Sequence, residues 1–210
     1  MMAMKATGRM RRASTLALLF AASTLAALAQ QPQTVRVRGT ITSVDGPVLT
    51  VKGRDGAAMT VRLADGAPVR TVVRMSLADV KEGGFVGITA MPQPDGSQKA
   101  VEIHIFPEAM RGTGEGHRPW DLMPNSTMTN ANVDSVVASV DGEVLVLKYK
   151  DGEKKFIVPA NVEVVMFAPA SMADLKPGEK VFVAAAKSLP DGALEAPNIT
   201  VSRAGVYPPM

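Results

Sequence analysis

Residues 37–46 read Val37-Arg-Gly-Thr-Ile-Thr-Ser-Val-Asp-Gly46, and 96 residues later the chain reads Val133-Asp-Ser-Val-Val-Ala-Ser-Val-Asp-Gly142. The correspondence continues downstream, where Ser76–Lys81 matches Ser171–Lys176 at an offset of 95 residues. Self-similarity at a long and nearly constant offset indicates a duplication, and two copies of this length are expected to be tandem domains rather than a solenoid. This stretch therefore predicts one architecture that is present twice.

Apolar and polar residues alternate within each copy. Val37 and Ile41 share one parity, as do Val101, Ile103 and Ile105 near the end of the first copy. A period of two residues is typical of half-buried β-strands. Seven of the 11 aspartates precede a glycine, and Asp-Gly between strand patterns favours tight hairpin turns. The sequence therefore predicts an all-β protein whose aspartates lie mainly in turns.

One short helix is predicted in each copy. Ser76 and Ser171 each begin a Ser-x-x-Asp box, in which the hydroxyl can accept a hydrogen bond from a free amide at a helix N-terminus. The elements predicted for the first copy are strands at 34–44, 48–52 and 58–63, an extended piece at Val69–Met75, a helix at 77–81, and strands at 85–91 and 99–106. Five strands with a helix between the third and fourth follow the order of an OB-like Greek-key barrel. The predicted fold class is thus two tandem OB-like five-stranded barrels, with a small open sandwich as the alternative.

The framework residues of the first copy resemble a family of bacterial secreted domains of unknown function with OB-like β-barrel repeats. The matching positions are Val37, Gly39, Ile41, Asp45, Gly46, Leu49, Val51, Leu77, Val80 and Gly83. The second copy matches through Val140-Asp141-Gly142, Leu145, Leu147, Leu175 and Gly178, but has Ser135 where the first copy has Gly39. The resemblance implies export and a barrel architecture, and it brings no catalytic residue.

The first 29 residues have the features of a secretory signal peptide. A basic start is followed by the apolar stretch Ala13–Ala27 and by Ala27-Leu28-Ala29, the small-x-small pattern of a cleavage site. The apolar stretch is shorter than the roughly 20 residues that a membrane-spanning helix needs. We therefore expect a signal peptide at residues 1–29, cleavage before Gln30, and a periplasmic or secreted protein without a transmembrane anchor.

Composition excludes several function classes. The chain has 23 Lys and Arg against 20 Asp and Glu, and four of the basic residues lie in the leader, which leaves 19 against 20 in the rest. A nearly neutral chain lacks the excess of cations that phosphate-backbone binding requires. The first copy has only Phe85 and Phe106 as aromatic residues, too few for a base-stacking surface. Without cysteine there is no disulfide framework and no thiol chemistry. We therefore expect no nucleic-acid partner.

The remaining chain divides into the first barrel at 34–106, an inter-domain strap at 107–131, the second barrel at 132–204 and a C-terminal tail at 205–210. The strap contains the only tryptophan, Trp120, together with Arg111, Arg118 and Asp121. Burial of an indole offsets part of the entropy lost when a loop becomes ordered. We therefore expect Trp120 to dock between the barrels while the arginines pair with acidic residues.

A divalent metal site is the alternative use of this region. His104, Glu108, Glu115 and His117 carry imidazole and carboxylate ligands of the kind that zinc and similar ions accept. Their spacing matches no established ligand pattern. A Cu(I) site formed by Met110, Met123 or Met128 with a histidine is a further alternative, although methionine more often fills irregular gaps in a core.

The sequence predicts a binding or interaction module in the cell envelope, whose partner is an envelope protein or a small ligand. No nucleophile, base and orienting group can be assembled from the residues present, so no catalytic residue is assigned and enzymatic activity is not expected. A periplasmic metal-binding protein is the second hypothesis. A third is an enzyme subunit that a partner completes.

Overall fold

The computed structural model describes residues 34–139 and 142–208, and the expected signal peptide at residues 1–29 lies outside them. The described chain is built from strands and three short 3₁₀ turns. The strands are β1 Thr34–Asp45, β2 Val48–Gly53, β3 Ala58–Leu63, β4 Val69–Met75, β5 Phe85–Pro92, β6 Gln98–Ile105, β7 Gly116–Pro119, β8 Thr127–Ser139, β9 Gly142–Tyr149, β10 Gly152–Pro159, β11 Glu163–Pro169, β12 Lys180–Ser188, β13 Leu194–Ala196 and β14 Ile199–Val201. The 3₁₀ turns are Leu77–Asp79, Glu108–Met110 and Met172–Asp174.

The strands form two closed rings of five paired strands within one continuous sheet. We call these rings circuit A and circuit B. Circuit A runs β1–β2–β3–β13–β12, and β12 pairs back to β1. Circuit B runs β5–β6–β10–β9–β8, and β8 pairs back to β5. The fold is therefore all-β, with a closed five-stranded barrel and additional strands, as the alternating pattern predicted.

Each circuit contains strands from both sequence copies. Circuit A joins the first three strands of copy one to β12 and β13 of copy two, whereas circuit B joins β5 and β6 of copy one to β8–β10 of copy two. Thr34–Met210 forms one compact unit, so the expected separate barrels at 34–106 and 132–204 differ from what is observed. The reason is that duplicated strands present similar edges, and alternation within a strand does not specify which copy supplies its neighbour.

The chain crosses between the circuits twice, at β4 and at β11. These two strands pair with each other in antiparallel orientation, with Val72 opposite Phe167. Val72 and Phe167 are equivalent residues of the two copies at the offset of 95, so a pseudo-two-fold axis passes through this pair. β14 pairs with β4 and β6 pairs with β11, which extends the sheet from one circuit into the other.

The predicted helix is only a 3₁₀ turn of three residues in each copy. The capping box forms as expected, because the Ser76 backbone N–H donates to Asp79 Oδ2 at 2.8 Å. Val80 already has extended backbone angles and is buried, so the chain leaves the helical conformation after one turn to enter β5. Within the residues that the structure describes, no helix is long and apolar enough to cross a membrane.

Three apolar cores result from this arrangement. The first fills circuit A around Leu49, Val61 and Val183, and the second fills circuit B around Leu145 and Phe156. The third lies outside both circuits, where their neighbouring faces meet, and its buried members are Val72, Phe85, Phe106, Met128, Val165, Phe167 and Phe182. This third core is rich in phenylalanine, and it positions the candidate site.

The first strand of copy two is displaced relative to the sequence repeat. Gly39 pairs with Val181, and the equivalent partner in copy one, Val86, pairs with Ala131. Ala131 therefore occupies the place of Gly39, four residues before the Ser135 that the repeat aligns with it. An even displacement keeps the same side chains facing inward, which is why the alternation alone could not detect it.

Candidate functional site

The expected strap is shorter than predicted and contains a strand. The connecting segment, residues 107–126, includes the 3₁₀ turn Glu108–Met110 and the strand β7, which pairs with the start of β8. Arg111 holds one end of it, donating to the Gly83 carbonyl oxygen at 2.9 Å and to Glu108 Oε2 at 2.7 Å. Arg111 also donates to the Asn132 side chain on β8. This end is thereby attached to circuit B.

Asp121 attaches the other end to circuit A. Arg38 Nη2 on β1 donates to Asp121 Oδ1 at 3.0 Å, and Arg36 Nη1 lies 3.7 Å from the same oxygen. Arg54 donates to the Asp121 carbonyl oxygen at 2.8 Å. Partial burial alone would raise the pKa of Asp121, but the hydrogen bond and charge of Arg38 and the charge of Arg36 lower it. Asp121 is thus a carboxylate held ionised among arginines.

Trp120 lies between Asp121 and the phenylalanine core. Its indole is half-buried and packs edge-on against Phe182, with ring centroids 6.4 Å apart. The Arg36 guanidinium is 4.1 Å from the indole centroid and that of Arg118 is 5.4 Å away, within the range of cation–π attraction. Among the described residues, the buried Nε1–H of Trp120 has no hydrogen-bond acceptor.

A crevice of about 150 Å³ opens beneath Trp120, between the facing surfaces of the two circuits. Its apolar lining comes from side chains that are distant in sequence: Phe106, Met110, Trp120, Met128, Phe167, Phe182 and Ala184. Its polar lining consists of Arg70, Thr113, Arg118, Asn130, Asn198 and Thr200. No Asp or Glu of the described residues lines the crevice. It therefore combines an aromatic surface with two cations and no anion.

The polar groups of the crevice are incompletely paired. Asn130 is buried and its Nδ2 donates to the Thr113 carbonyl oxygen at 2.9 Å, but its Oδ1 has no donor among the described residues. Arg118 donates to the Gly114 carbonyl oxygen at 2.6 Å. We expected Arg118 to pair with an acidic residue, and among the described residues it forms no such pair. Buried polar groups normally have partners, so Asn130 Oδ1 and Trp120 Nε1 are unsatisfied among the described residues.

Two buried ionisable residues lie behind the aromatic lining. The His104 imidazole lies 3.8 Å from the ring centroid of Phe167 and 5.0 Å from that of Phe106. Burial lowers the pKa of His104 to about 3 and raises the pKa of Glu102 to about 8. Thr89 Oγ1 donates to Glu102 Oε2 at 3.1 Å. Both side chains are therefore uncharged at neutral pH.

The four candidate metal ligands do not converge. His104 faces the inter-circuit core, whereas His117 on β7 is in register with Thr129 and Ile88, on the opposite face of the sheet. His117 Nδ1 lies 2.7 Å from Thr129 Oγ1. Glu108 is paired with Arg111, and Glu115 Oε1 accepts from the Lys150 backbone N–H at 3.1 Å. In the described part of the chain, no group of three His, Asp or Glu residues is placed to hold a metal ion.

The sequence predicts functional residues on one side of the crevice but not on the other. Trp120 and Arg118 were singled out because they lie in an unusual segment, and both line the crevice. Arg70, Phe182 and Thr200 were missed because each lies on an ordinary alternating strand. They come together only because Arg70 on β4 and Phe182 on β12 both neighbour Thr200 on β14.

Comparisons of the chain with protein-family models, with curated proteins and with solved structures found no match.

Proposed function

We propose that this protein is an exported, non-catalytic binding module of the bacterial cell envelope, and that its ligand is a small apolar anion bound in the crevice. One observation supports this most directly: aromatic and methionine side chains share the lining with Arg70 and Arg118, and no carboxylate of the described residues neutralises them there. A cavity with apolar walls and a few convergent polar groups is the usual form of a small-ligand site.

The size and chemistry of the crevice define the ligand class. An apolar cavity of about 150 Å³ is known to accommodate benzene, and the crevice has this volume. Guanidinium groups match carboxylates in planar geometry. The Trp120 Nε1–H would donate to the ligand, and Asn130 Oδ1 would accept from it. A carboxylate with a compact aromatic or branched apolar body, carrying a hydrogen-bond donor, fits these groups.

The architecture we propose extends the observed fold. Each circuit is an OB-like Greek-key barrel in which the first three strands come from one copy and the last two from the other. The five-strand order supports this, as does the resemblance to secreted OB-like repeat domains. The signal-peptide pattern at residues 1–29 supports a periplasmic or secreted location.

The other two functional hypotheses receive no support from the geometry. A metal-binding function would need His104, Glu108, Glu115 and His117 to converge, and they face different surroundings. An enzyme completed by a partner would need a general acid or base at the crevice, but among the described residues no Asp, Glu or His lines it, and Glu102 and His104 are buried.

The test is a titration of the protein without its leader, using benzoate, followed by calorimetry and by the fluorescence of its single tryptophan. We expect benzoate to bind and to change the emission of Trp120, whereas neutral benzyl alcohol and small acetate bind much more weakly. Arg118→Gln and Arg70→Gln should each weaken benzoate binding about tenfold or more, because hydrogen bonds to charged groups contribute about 1.5–3 kcal/mol.

Arg74→Gln is the matched control, because Arg74 lies on β4 near Arg70 but is exposed and outside the crevice. It should leave benzoate binding unchanged. If no apolar carboxylate binds at millimolar concentration, or if Arg74→Gln weakens binding as much as Arg70→Gln does, the proposal is wrong.

A further inference from the structure

A second basic surface lies on circuit A, on the other side of Asp121 from the crevice. A groove of about 320 Å³ runs across β1, β2 and β12. Four cationic side chains line it: Arg38, Lys52, Arg54 and Lys180. The rest of its lining consists of Gly39, Thr40, Gly53, Leu122, Val181, Tyr207 and Pro208, so no carboxylate of the described residues lines it. We call this surface the basic groove.

The cations form an ordered array on three neighbouring strands. Thr40 on β1 pairs with Lys52 on β2 and with Lys180 on β12, so the two lysines flank one threonine in a single row. Arg38 lies two residues from Thr40 on β1, on the same face, and Arg54 follows the end of β2 in the turn after Gly53. Burial is the main cause that lowers the pKa of Arg38; the hydrogen bond and charge of Asp121 oppose it, and the positive charges of Arg54 and Arg36 lower it further. Positive charge is therefore concentrated around Arg38.

The equivalent row of circuit B shows that the fold does not need this array. There Asn132 pairs with Lys148 on one side and with Phe85 on the other, so phenylalanine replaces Lys180 and asparagine replaces Thr40. Lys148 is neutralised by Asp134, with 2.8 Å between Nζ and Oδ1. At this row the two circuits therefore differ: circuit A has two lysines with no ion pair among the described residues, whereas circuit B has one lysine that is paired with an aspartate.

Asp121 already acts as an anion at one edge of the array. Its carboxylate bonds Arg38, and its carbonyl oxygen accepts from Arg54. Lys52 is exposed, while the Lys180 ammonium lies 3.8 Å from the ring centroid of the exposed Tyr207. The lysine half of the groove is therefore open to solvent.

We propose that the basic groove binds a multiply charged oxyanion of the phosphate class. Lys52 and Lys180 supply the charge, and Thr40 Oγ1 donates a hydrogen bond from between them. A single carboxylate would neutralise one of the four cations, whereas a phosphate ester or diphosphate carries enough charge for several. Such an anion competes with Asp121 for Arg38, which makes Asp121 the internal competitor of the site.

The experiment is calorimetry of the protein without its leader against inorganic diphosphate at low ionic strength. Diphosphate should bind, and Lys52→Gln and Lys180→Gln should each lower the affinity about two- to fivefold, the range of exposed ion pairs. Asp121→Asn should raise the affinity, because the competing carboxylate is removed. Lys148→Gln, the same change at the equivalent position of circuit B, should have no effect.

A vesicle sedimentation experiment distinguishes two sources of the phosphate group. Sedimentation with phosphatidylcholine vesicles that contain phosphatidic acid, but not with phosphatidylcholine alone, would assign the site to a lipid headgroup. Binding of diphosphate without vesicle binding would assign it to a soluble phosphate ester. The proposal is overturned if neither probe binds, or if Lys148→Gln weakens binding as much as Lys180→Gln. The Lys52→Gln variant should still bind benzoate in the crevice. A benzoate titration of this variant therefore distinguishes a loss of phosphate binding in the basic groove from a loss of ligand binding in the crevice.

Discussion

Leu49→Ala tests the exchange of strands between the two sequence copies. Leu49 lies on β2 with no exposed surface, in the core of circuit A. Truncation of a fully buried leucine costs about 3–5 kcal/mol, because transfer free energy is lost and a cavity remains. Circuit A is completed by β12 and β13 of the second copy. The loss of stability should therefore extend to residues more than 130 positions away in the sequence, such as Val181 and Val183.

Native-state hydrogen exchange measures this loss strand by strand. A cost of about 3 kcal/mol corresponds to roughly a hundredfold faster exchange of the amides that open with the damaged core. We expect this acceleration in β1–β3 and equally in β12. Leu145→Ala, the equivalent change in circuit B, should accelerate exchange in β8–β10 and in β5 and β6 of the first copy. If β12 keeps its protection from hydrogen exchange after Leu49→Ala while β5 and β6 lose theirs, the two copies do not share strands. Each copy would then form its own barrel.

Three further predictions concern single residues. Trp120→Phe keeps an aromatic ring at the crevice but removes the indole N–H, so we expect benzoate affinity to fall about tenfold with little change in stability; calorimetry and thermal unfolding check this. Burial raises the pKa of Glu102 from its usual value of 4.5 to about 8. Between these two pH values the folded protein therefore binds more protons than the unfolded chain. His104, with its pKa lowered to about 3, has the opposite effect up to its usual value of 6.5. Between pH 6.5 and 8 only the Glu102 effect remains, and stability should fall by at most about 1.4 kcal/mol per pH unit. Denaturant unfolding at both pH values should show this loss in the wild type and not in Glu102→Gln. Finally, Gly39→Ala would place a Cβ atom 2.4 Å from the Lys52 carbonyl oxygen, so we expect a loss of about 1–3 kcal/mol in thermal unfolding. A Gly39→Ala variant of unchanged stability would show that β1 and β2 can separate there.

Strand positions could be predicted from the sequence because they depend on neighbouring residues. The alternation of Val101, Ile103 and Ile105 reflects one face turned toward an apolar core, and Ile103 is indeed fully buried in circuit B. The extended piece Val69–Met75 is β4. The predicted helix at 77–81 is only the 3₁₀ turn Leu77–Asp79, because a capping box specifies how a helical turn begins and not how long it continues. After Asp79 the backbone becomes extended, because Val80 is buried and the chain leads into β5.

The candidate site could be predicted only in part. Trp120 and Asp121 were recognisable because an isolated aromatic residue and a charge in an irregular segment need partners. Their partners were not recognisable, because Arg38 and Phe182 lie on regular strands of different copies and meet through the pairing of β1 with β12. The geometry of the described residues likewise gives the metal hypothesis no support. His104 and His117 are close in sequence, but the strands between them place the two side chains on opposite faces.

The sequence by itself determined that this protein is all-β, since period-two burial and Asp-Gly turns are local properties of the chain. Only the tertiary structure decided which strands became neighbours. Two copies with the same alternation offer each other equivalent edges, so pairing within a copy and pairing between copies satisfy the same backbone groups. The choice between them depends on burial over the whole molecule, where the crossing strands β4 and β11 contribute to the phenylalanine-rich core together with residues from both circuits. The crevice and the basic groove both follow from that choice, because each is lined by residues of both copies.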